Sequence, residues 1–242
     1  MLENAVAFLR AQKPDVITLQ EVTAGRENFC ADKELDVFLF LKNELGLNGA
    51  FAKSHAVIGD PRSRIGNAVL TRGKVMAHRT IWLKEYAEVP PHDERDHTRD
   101  PHNTLDCLIG FGNVRFRALS AHLAWSQEPV DTPEKIRQAE VLARHLQSLG
   151  HEPYILGGDF NLPRGTKTLA LIESVSRNLA ADPRWGITRS THPVIHKIAS
   201  FKPDGLLVDF IFASPHFSPL SVDAPVVDAS DHLPIRATLE IE

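Results

Sequence analysis

The chain has 242 residues, 43% of them hydrophobic and 24% charged, which is the composition of a folded globular protein with room for one large domain or two small ones. A formal net charge of −4 and a pI of about 6.3 speak against a protein that grips long nucleic acid through a basic surplus. Two cysteines, Cys30 and Cys107, lack CxxC spacing and so exclude a disulfide framework, and no apolar run is long enough to span a bilayer.

The N-terminus, MLENAVAFLRAQ, carries Glu3 early and has no long apolar stretch. It does not read as a secretory signal, so the cytoplasm is the expected compartment. Leu2 to Gln12 predicts an amphipathic helix, with Leu2, Val6 and Leu9 at helical spacing and Pro14 as its stop. Asp15 to Leu19 (DVITL) predicts a buried strand with Glu21 just beyond its end. Asp36 to Leu45 predicts a second helix, closed by Gly46. Strands are expected at Asn67–Leu70, Val75–Trp82, Thr104–Phe111 and Val114–Ser120, the last two joined by a hairpin turn at Gly110–Asn113. Pro133 to Leu149 predicts a helix: Pro133 suits its first turn, Ile136, Ala139, Leu142, Ala143 and Leu146 share a face, and Gly150 ends it. Further strands are expected at Tyr154–Leu156, Leu207–Phe212 and Ile235–Ile241.

Helices mixed with long runs of strands suit a layered α/β protein rather than a strict βα alternation. No internal repeat, low-complexity tract or linker divides the sequence, so a single domain over residues 1–242 is expected. Pro90 to Asn103 (PPHDERDHTRDPHN) is a polar loop whose His92, His97 and His102 recur every five residues, a spacing that shares no helix or strand face. Clustered His and Asp can bind zinc, but a charged surface loop is more often only solvated.

Four segments each set polar groups at the end of an apolar strand, where open α/β sheets present functional side chains. Leu19-Gln20-Glu21 places a carboxylate there, either a Mg²⁺ or Mn²⁺ ligand or an exposed loop glutamate. In Leu156-Gly157-Gly158-Asp159-Phe160-Asn161, Asp159 and Asn161 flank Phe160 and face one side. They suit a metal or proton acceptor beside an amide donor, or alternatively an Asx-rich turn. Asp209, inside Val208-Asp209-Phe210-Ile211-Phe212, is costly to bury unless paired, and a histidine is its natural partner; otherwise it faces water on an edge strand. Ser230-Asp231-His232-Leu233-Pro234-Ile235 offers a metal ligand beside an imidazole that Asp209 could orient and keep cationic, or simply a turn before a strand.

Taken together, LQE, GGDFN, VDFIFAS and SDHLPI resemble, in order, the signatures of the endonuclease/exonuclease/phosphatase superfamily, which includes DNase I-like and exonuclease III-like enzymes. GNAVLTR (Gly66 to Arg72), SAHL (Ser120 to Leu123) and the following helix with Arg137 and Gln138 are similar to further family segments, so the resemblance runs from about Asp15 to Glu240. It implies a four-layer α/β sandwich: two mixed β-sheets packed face to face with helices outside. It also implies hydrolysis of phosphate esters with Mg²⁺ or Mn²⁺. By position, Glu21 and Asp231 become metal ligands, Asp159 activates or positions the attacking water with Asn161 beside it, and His122 and His232 contact the phosphate. Asp209 orients His232, and Asn67 is the substrate-contacting residue. One departure stands out: the family begins with a strand carrying an Asn near the metal, and here Met1 opens almost directly into the first helix, so either this sequence starts after that strand or the site is incomplete.

The expected partner is therefore a phosphoester substrate: a small molecule, a lipid-linked phosphate or nucleic acid. A DNA-directed enzyme of the family would want a basic surface and an active-site tyrosine, but the chain has only Tyr86 and Tyr154, both outside matching motifs. An inert binding module is the alternative that the absent Asn strand favours and the full set of acids and histidines opposes. Oligomeric state and metal preference are not legible in the sequence.

Overall fold

The computed structural model describes residues 1–25, 35–57, 60–84, 100–196 and 204–242, with the backbone path alone at 56–57 and 60–63. In chain order the elements are α1 (Leu2–Gln12), β1 (Val16–Ala24), α2 (Val37–Leu45), β2 (Asn48–Val57), β3 (Asp60–Thr71), β4 (Lys74–Trp82), β5 (Asn103–Phe111) and β6 (Val114–His122). They continue with α3 (Pro133–Ser148), β7 (Tyr154–Asp159), α4 (Lys167–Glu173), β8 (Arg177–Asn178), a 3-10 turn (Pro183–Trp185), β9 (Asp209–Ala213), β10 (Phe217–Asp223) and β11 (Arg236–Ile241).

The helices start and stop where local chemistry dictates. Asp36 caps α2 by accepting the Leu39 N–H at 2.8 Å, and Gly46 ends it at φ +63°. Thr132 caps α3 by accepting the Lys135 N–H at 3.2 Å, with Pro133 in the first turn, whose missing N–H costs nothing there. α1 ends on Lys13 in the left-handed region, just before Pro14.

The strands form a six-stranded sheet of order β4-β5-β6-β7-β9-β8, a three-stranded sheet β1-β3-β2 and a ribbon β10-β11. The six-stranded sheet is mixed: β6 and β7 run parallel and the other pairs antiparallel. The three-stranded sheet is antiparallel throughout. The two larger sheets pack face to face. Ser120 Oγ of β6 donates to the Leu19 carbonyl of β1 at 2.9 Å, and Gln20 Nε2 donates back to Ser120 Oγ at 2.8 Å. At Gly157 the approach is so close that a Cβ would lie 2.3 Å from Thr18 Oγ1, which is why only glycine fits on β7 here.

Apolar faces follow from this layering. Leu105, Cys107, Ile109 and Ala118 meet Ala50, Ala52 and Val69 between the sheets. On the far face of the large sheet, Ala139, Leu142 and Leu146 of α3 bury against Leu119, Leu156, Phe210 and Phe212. Each leucine, isoleucine, valine and phenylalanine among them contributes roughly 1.5–3 kcal/mol by leaving water. α1 and α2 cover the outer face of the small sheet through Val6 and Leu41, which pack with Ile17 and Leu70. The ribbon enters the large core through Phe217, whose ring meets Phe116 of β6 at 5.8 Å.

The fold is thus the α/β architecture expected, with helices outside packed sheets. Several elements are longer than the sequence suggests or new to it. β1 runs on through Glu21 to Ala24, and β2, α4, β8 and β10 had no sequence signal. The loop expected through Asn103 gives way to β5 at that residue. Cys30, Tyr86, His92 and His97 lie outside the described residues. Cys107 is buried, and burial beside Asp106 pushes its thiol up to about 12, so it is inert at neutral pH. Among the described residues no helix is long and apolar enough to cross a membrane.

Candidate active site

Strand register gathers the candidate residues. His122 ends β6 and pairs in register with Asp159, which ends the parallel neighbour β7. Asp159 pairs in turn with Asp209, which opens the antiparallel β9. Three adjacent strands therefore put a histidine and two aspartates on one rim of the large sheet. Glu21 reaches that rim from the small sheet. A bulge in β1 between Leu19 and Val22 breaks the alternation and sets Glu21 at φ +53°. Its exposed carboxylate then lies 3.8 Å from His122 Nε2.

The turn after β7 is tightly specified. Asn161 also sits at φ +53°, a conformation that costs a non-glycine residue on the order of 1 kcal/mol and needs holding. Its N–H donates to Asp159 Oδ1 at 2.8 Å, and its Nδ2 donates to the Leu123 carbonyl at 2.9 Å. That second bond fixes which end of the amide is nitrogen, and the same Nδ2 lies 3.1 Å from His122 Nε2. His122 Nε2 is also 3.8 Å from Asp159 Oδ2. Glu21 and Asn161, both strained, both touch His122.

His232 Nδ1 lies 2.7 Å from Asp209 Oδ2, which leaves Nε2 facing the site. Burial opposes a charge on this ring, but the Asp209 carboxylate beside it outweighs that, with help from Asp159 and Asp231, and raises it to about 10. The imidazole is a cation at neutral pH. Asp159 is raised as well: burial and the neighbouring Asp209 charge lift its carboxyl to about 6, while His232 and His122 pull it back. A carboxylate poised near 6 next to an imidazolium poised near 10 can take a proton and give one at pH 7.

The segment carrying Asp231 and His232 is held by residues that the motifs do not include. Thr191 bridges to His232, and the His192 N–H donates to the Asp231 carbonyl at 2.8 Å. His192 Nδ1 accepts the N–H groups of Val194 and Ile195, so its proton is on Nε2, which donates to Asp228 at 3.0 Å. Ser190, fully buried, accepts the N–H groups of both Val208 and Asp209 at 3.0 Å and so fixes the start of β9. A serine and two histidines in RSTHPVIH were the available signal, but nothing local marks them as facing VDF and SDH.

Asn67 is placed differently from the rest. It is 1% exposed, and its Nδ2 donates to Asn103 O at 2.7 Å and Asn103 Oδ1 at 3.0 Å. It ties β3 to β5 between the sheets instead of lining the open rim. His102, the one described histidine of the polar loop, is buried edge-on to His122 at 5.2 Å, and burial holds it well below the usual imidazole range.

Among the described residues two groups of three could hold a cation: Asp159, Asp209 and His232, and His196, Asp231 and His232, each with ligand atoms within 4.8 Å of one another. Glu21 and Asp231 fall at opposite ends of a continuous series, with Glu21 beside His122 and Asp231 beside His196 and His232. The donors, carboxylate oxygens and imidazole nitrogens with Asp159 and Asp209 crowded together, fit a divalent cation.

Residues 2–232 match the model of the endonuclease/exonuclease/phosphatase family. Solved structures share the fold at low identity. A family protein from Bacteroides vulgatus superposes with a TM-score of 0.72 at 19% identity, covering 99% of this chain and 90% of that one. The mannosyl-6-phosphatase Bt3783 of Bacteroides thetaiotaomicron gives 0.69 at 15% identity, covering 98% and 89%. The human Nocturnin catalytic domain, solved with a bound sulfate, gives 0.70 at 18% identity, covering 99% and 85%. By sequence, no curated protein matches the chain.

Proposed function

Because the chain belongs to the endonuclease/exonuclease/phosphatase family, a family of phosphoester hydrolases, we propose that it hydrolyses a phosphate ester by in-line attack of water with a divalent metal bound. The observation that carries this reading is geometric: His232 Nδ1 lies 2.7 Å from Asp209 on the same rim as Asp159, an arrangement that favours a charged imidazole beside a raised carboxyl.

In this reading Asp159 accepts the proton of the attacking water, and Asn161 beside it holds His122 in place. His232, kept cationic by Asp209, offers Nε2–H to a phosphoryl oxygen where negative charge grows, an interaction stronger in the transition state than in the ground state. His122 faces the same oxygens from the other side. Mg²⁺ or Mn²⁺ would be held by acids of this rim, Glu21 from the His122 end or Asp231 from the His232 end, and would supply Lewis-acid stabilisation of the phosphoryl group. The net charge of −4 places small or lipid-linked phosphoesters ahead of long nucleic acid as substrates. The mannosyl-6-phosphatase is a similarly folded protein whose name fits phosphoester chemistry, and the similarly folded Nocturnin domain was solved with sulfate, an anion of phosphate's shape.

The test is turnover of bis-p-nitrophenyl phosphate, p-nitrophenyl phosphate, a hexose 6-phosphate and a single-stranded oligonucleotide. We expect turnover of at least one ester with Mg²⁺ or Mn²⁺, its loss in EDTA, and its recovery when metal is restored. His232→Ala should cut the rate by about 100-fold or more while the protein stays folded. Turnover unchanged in EDTA sinks the metal reading.

A further inference from the structure

We propose that Lys135 is a positioning residue for this site: its ammonium, buried under the first turn of α3, pins the Asn161 carbonyl to the loop that follows His122 and so sets the Asn161 amide against the imidazole. The proposal rests on the hydrolase reading for its effect on rate, but the geometry behind it is independent of any substrate.

Lys135 is fully buried, an uncommon place for an ammonium. Its Nζ donates to Ser126 Oγ at 2.6 Å, to the Asn161 carbonyl at 3.1 Å and to the Val130 carbonyl at 3.4 Å. Three N–H groups thus meet three neutral oxygens drawn from two segments: the loop between β6 and α3, and the turn after β7. The same loop begins with Leu123, whose carbonyl takes the Asn161 amide. Asn161 is therefore gripped at its N–H, its side-chain nitrogen and its carbonyl, and Lys135 provides the last of these.

Stability alone does not account for such a residue. Burying an ammonium among neutral partners costs free energy, and in the first turn of a helix it also opposes the macrodipole. That burial lowers Lys135 to about 8, against the attraction of Asp159 and Asp131. A methionine of similar length would fill the space without either cost. What a methionine cannot do is hold a carbonyl whose residue sits at φ +53° with its amide against a site histidine. Gln138, one turn along, repeats the device. Fully buried, it accepts the Ala124 N–H at 2.8 Å, so α3 lays two buried polar groups on the loop that leads away from His122.

The experiment compares Lys135→Met, Lys135→Arg and Ser126→Ala with the wild type. The readouts are kcat and KM on the best ester of the panel above, the melting temperature, and the metal-free NMR signals of the Asn161 side-chain amide and the His122 ring. For Lys135→Met we expect kcat to fall ~100-fold with KM within about 3-fold, since a shift of about 1 Å in a reacting group costs on that order. The Asn161 and His122 signals should move. Lys135→Arg, which keeps the donors, should recover kcat to within about 10-fold of wild type. Ser126→Ala removes one partner of the ammonium at a half-buried position and keeps the proposal testable if Lys135→Met fails to fold. It should lower kcat by about 3- to 10-fold and displace the same signals. Unmoved signals in Lys135→Met, or in Ser126→Ala where that variant stands in for it, overturn the proposal. So does a lowered melting temperature with kcat per folded molecule intact. A wild type without any phosphoesterase activity would instead fell the hydrolase reading, and the NMR signals would still decide whether Lys135 positions Asn161.

Discussion

Removing the Asp209 charge tests the most strongly perturbed group in the site. In Asp209→Asn the acceptor shape at His232 Nδ1 remains, but the negative charge 2.7 Å away is gone. The rise of His232 from 6.5 to about 10 corresponds to roughly 5 kcal/mol in favour of the charged ring, at 1.36 kcal/mol per pH unit. Burial works against that figure and Asp209 is its largest favourable cause, so without Asp209 the ring should titrate near or below its ordinary value. The sign for stability follows. A folded value above the unfolded one gives stabilisation that is whole below about pH 6.5 and is lost as pH rises through 10. Asp209→Asn should therefore cost roughly 2–3 kcal/mol at pH 6 and progressively less towards pH 10. It should also let Asp159 fall from about 6 towards an ordinary carboxyl, because the neighbouring charge that helped raise it is gone. The assay is the titration of the His232 Cε1 proton in metal-free protein, with urea unfolding at pH 6, 8 and 10. A wild-type ring that titrates near 6.5, or a stability deficit that is equal at pH 6 and pH 10, would refute the argument. With metal bound, Asp209→Asn should lose less rate than His232→Ala, since it disturbs orientation and charge but leaves the imidazole in place.

Two further changes probe the scaffold. Asp106 is fully buried and meets His145 at 3.0 Å, Arg117 at 3.0 Å and Arg79 at 2.9 Å. Asp106→Ala should destabilise by roughly 3–5 kcal/mol by stranding those partners, with kcat per folded molecule unchanged. A urea midpoint close to wild type would contradict this. Gly157→Ala would put a methyl group 2.3 Å from Thr18 Oγ1 and wedge the two sheets apart, costing roughly 1–3 kcal/mol. A melting temperature at the wild-type value would show that the sheets can separate there without penalty.

The sequence by itself determined the elements whose signals are local. α1 and α3 follow from apolar spacing and from stops at Pro14 and Gly150, and the structure places α1 at Leu2–Gln12 and α3 at Pro133–Ser148. The order of LQE, GGDFN, VDFIFAS and SDHLPI carried the family and the sandwich fold. Strands on the periphery were not legible. β2 begins with small residues in place of an apolar alternation, and β10 follows no regular inside–outside pattern because it lies in a two-stranded ribbon. The site needed the tertiary structure most. Chain order names Asp159, Asp209 and His232, but only the register of β6, β7 and β9 makes them neighbours, and only a bulge turns Glu21 towards His122. Asn67 reads as a substrate contact beside GNAVLTR, and only the packing of β3 on β5 shows that it is buried with its Nδ2 bonded to Asn103. Apolar periodicity placed Ile136, Ala139, Leu142, Ala143 and Leu146 on the buried face of α3, and the structure adds the polar Lys135 and Gln138 to its buried side. That the Lys135 ammonium reaches Asn161 depends on how the helix docks on the sheet, which residue spacing along one chain does not encode.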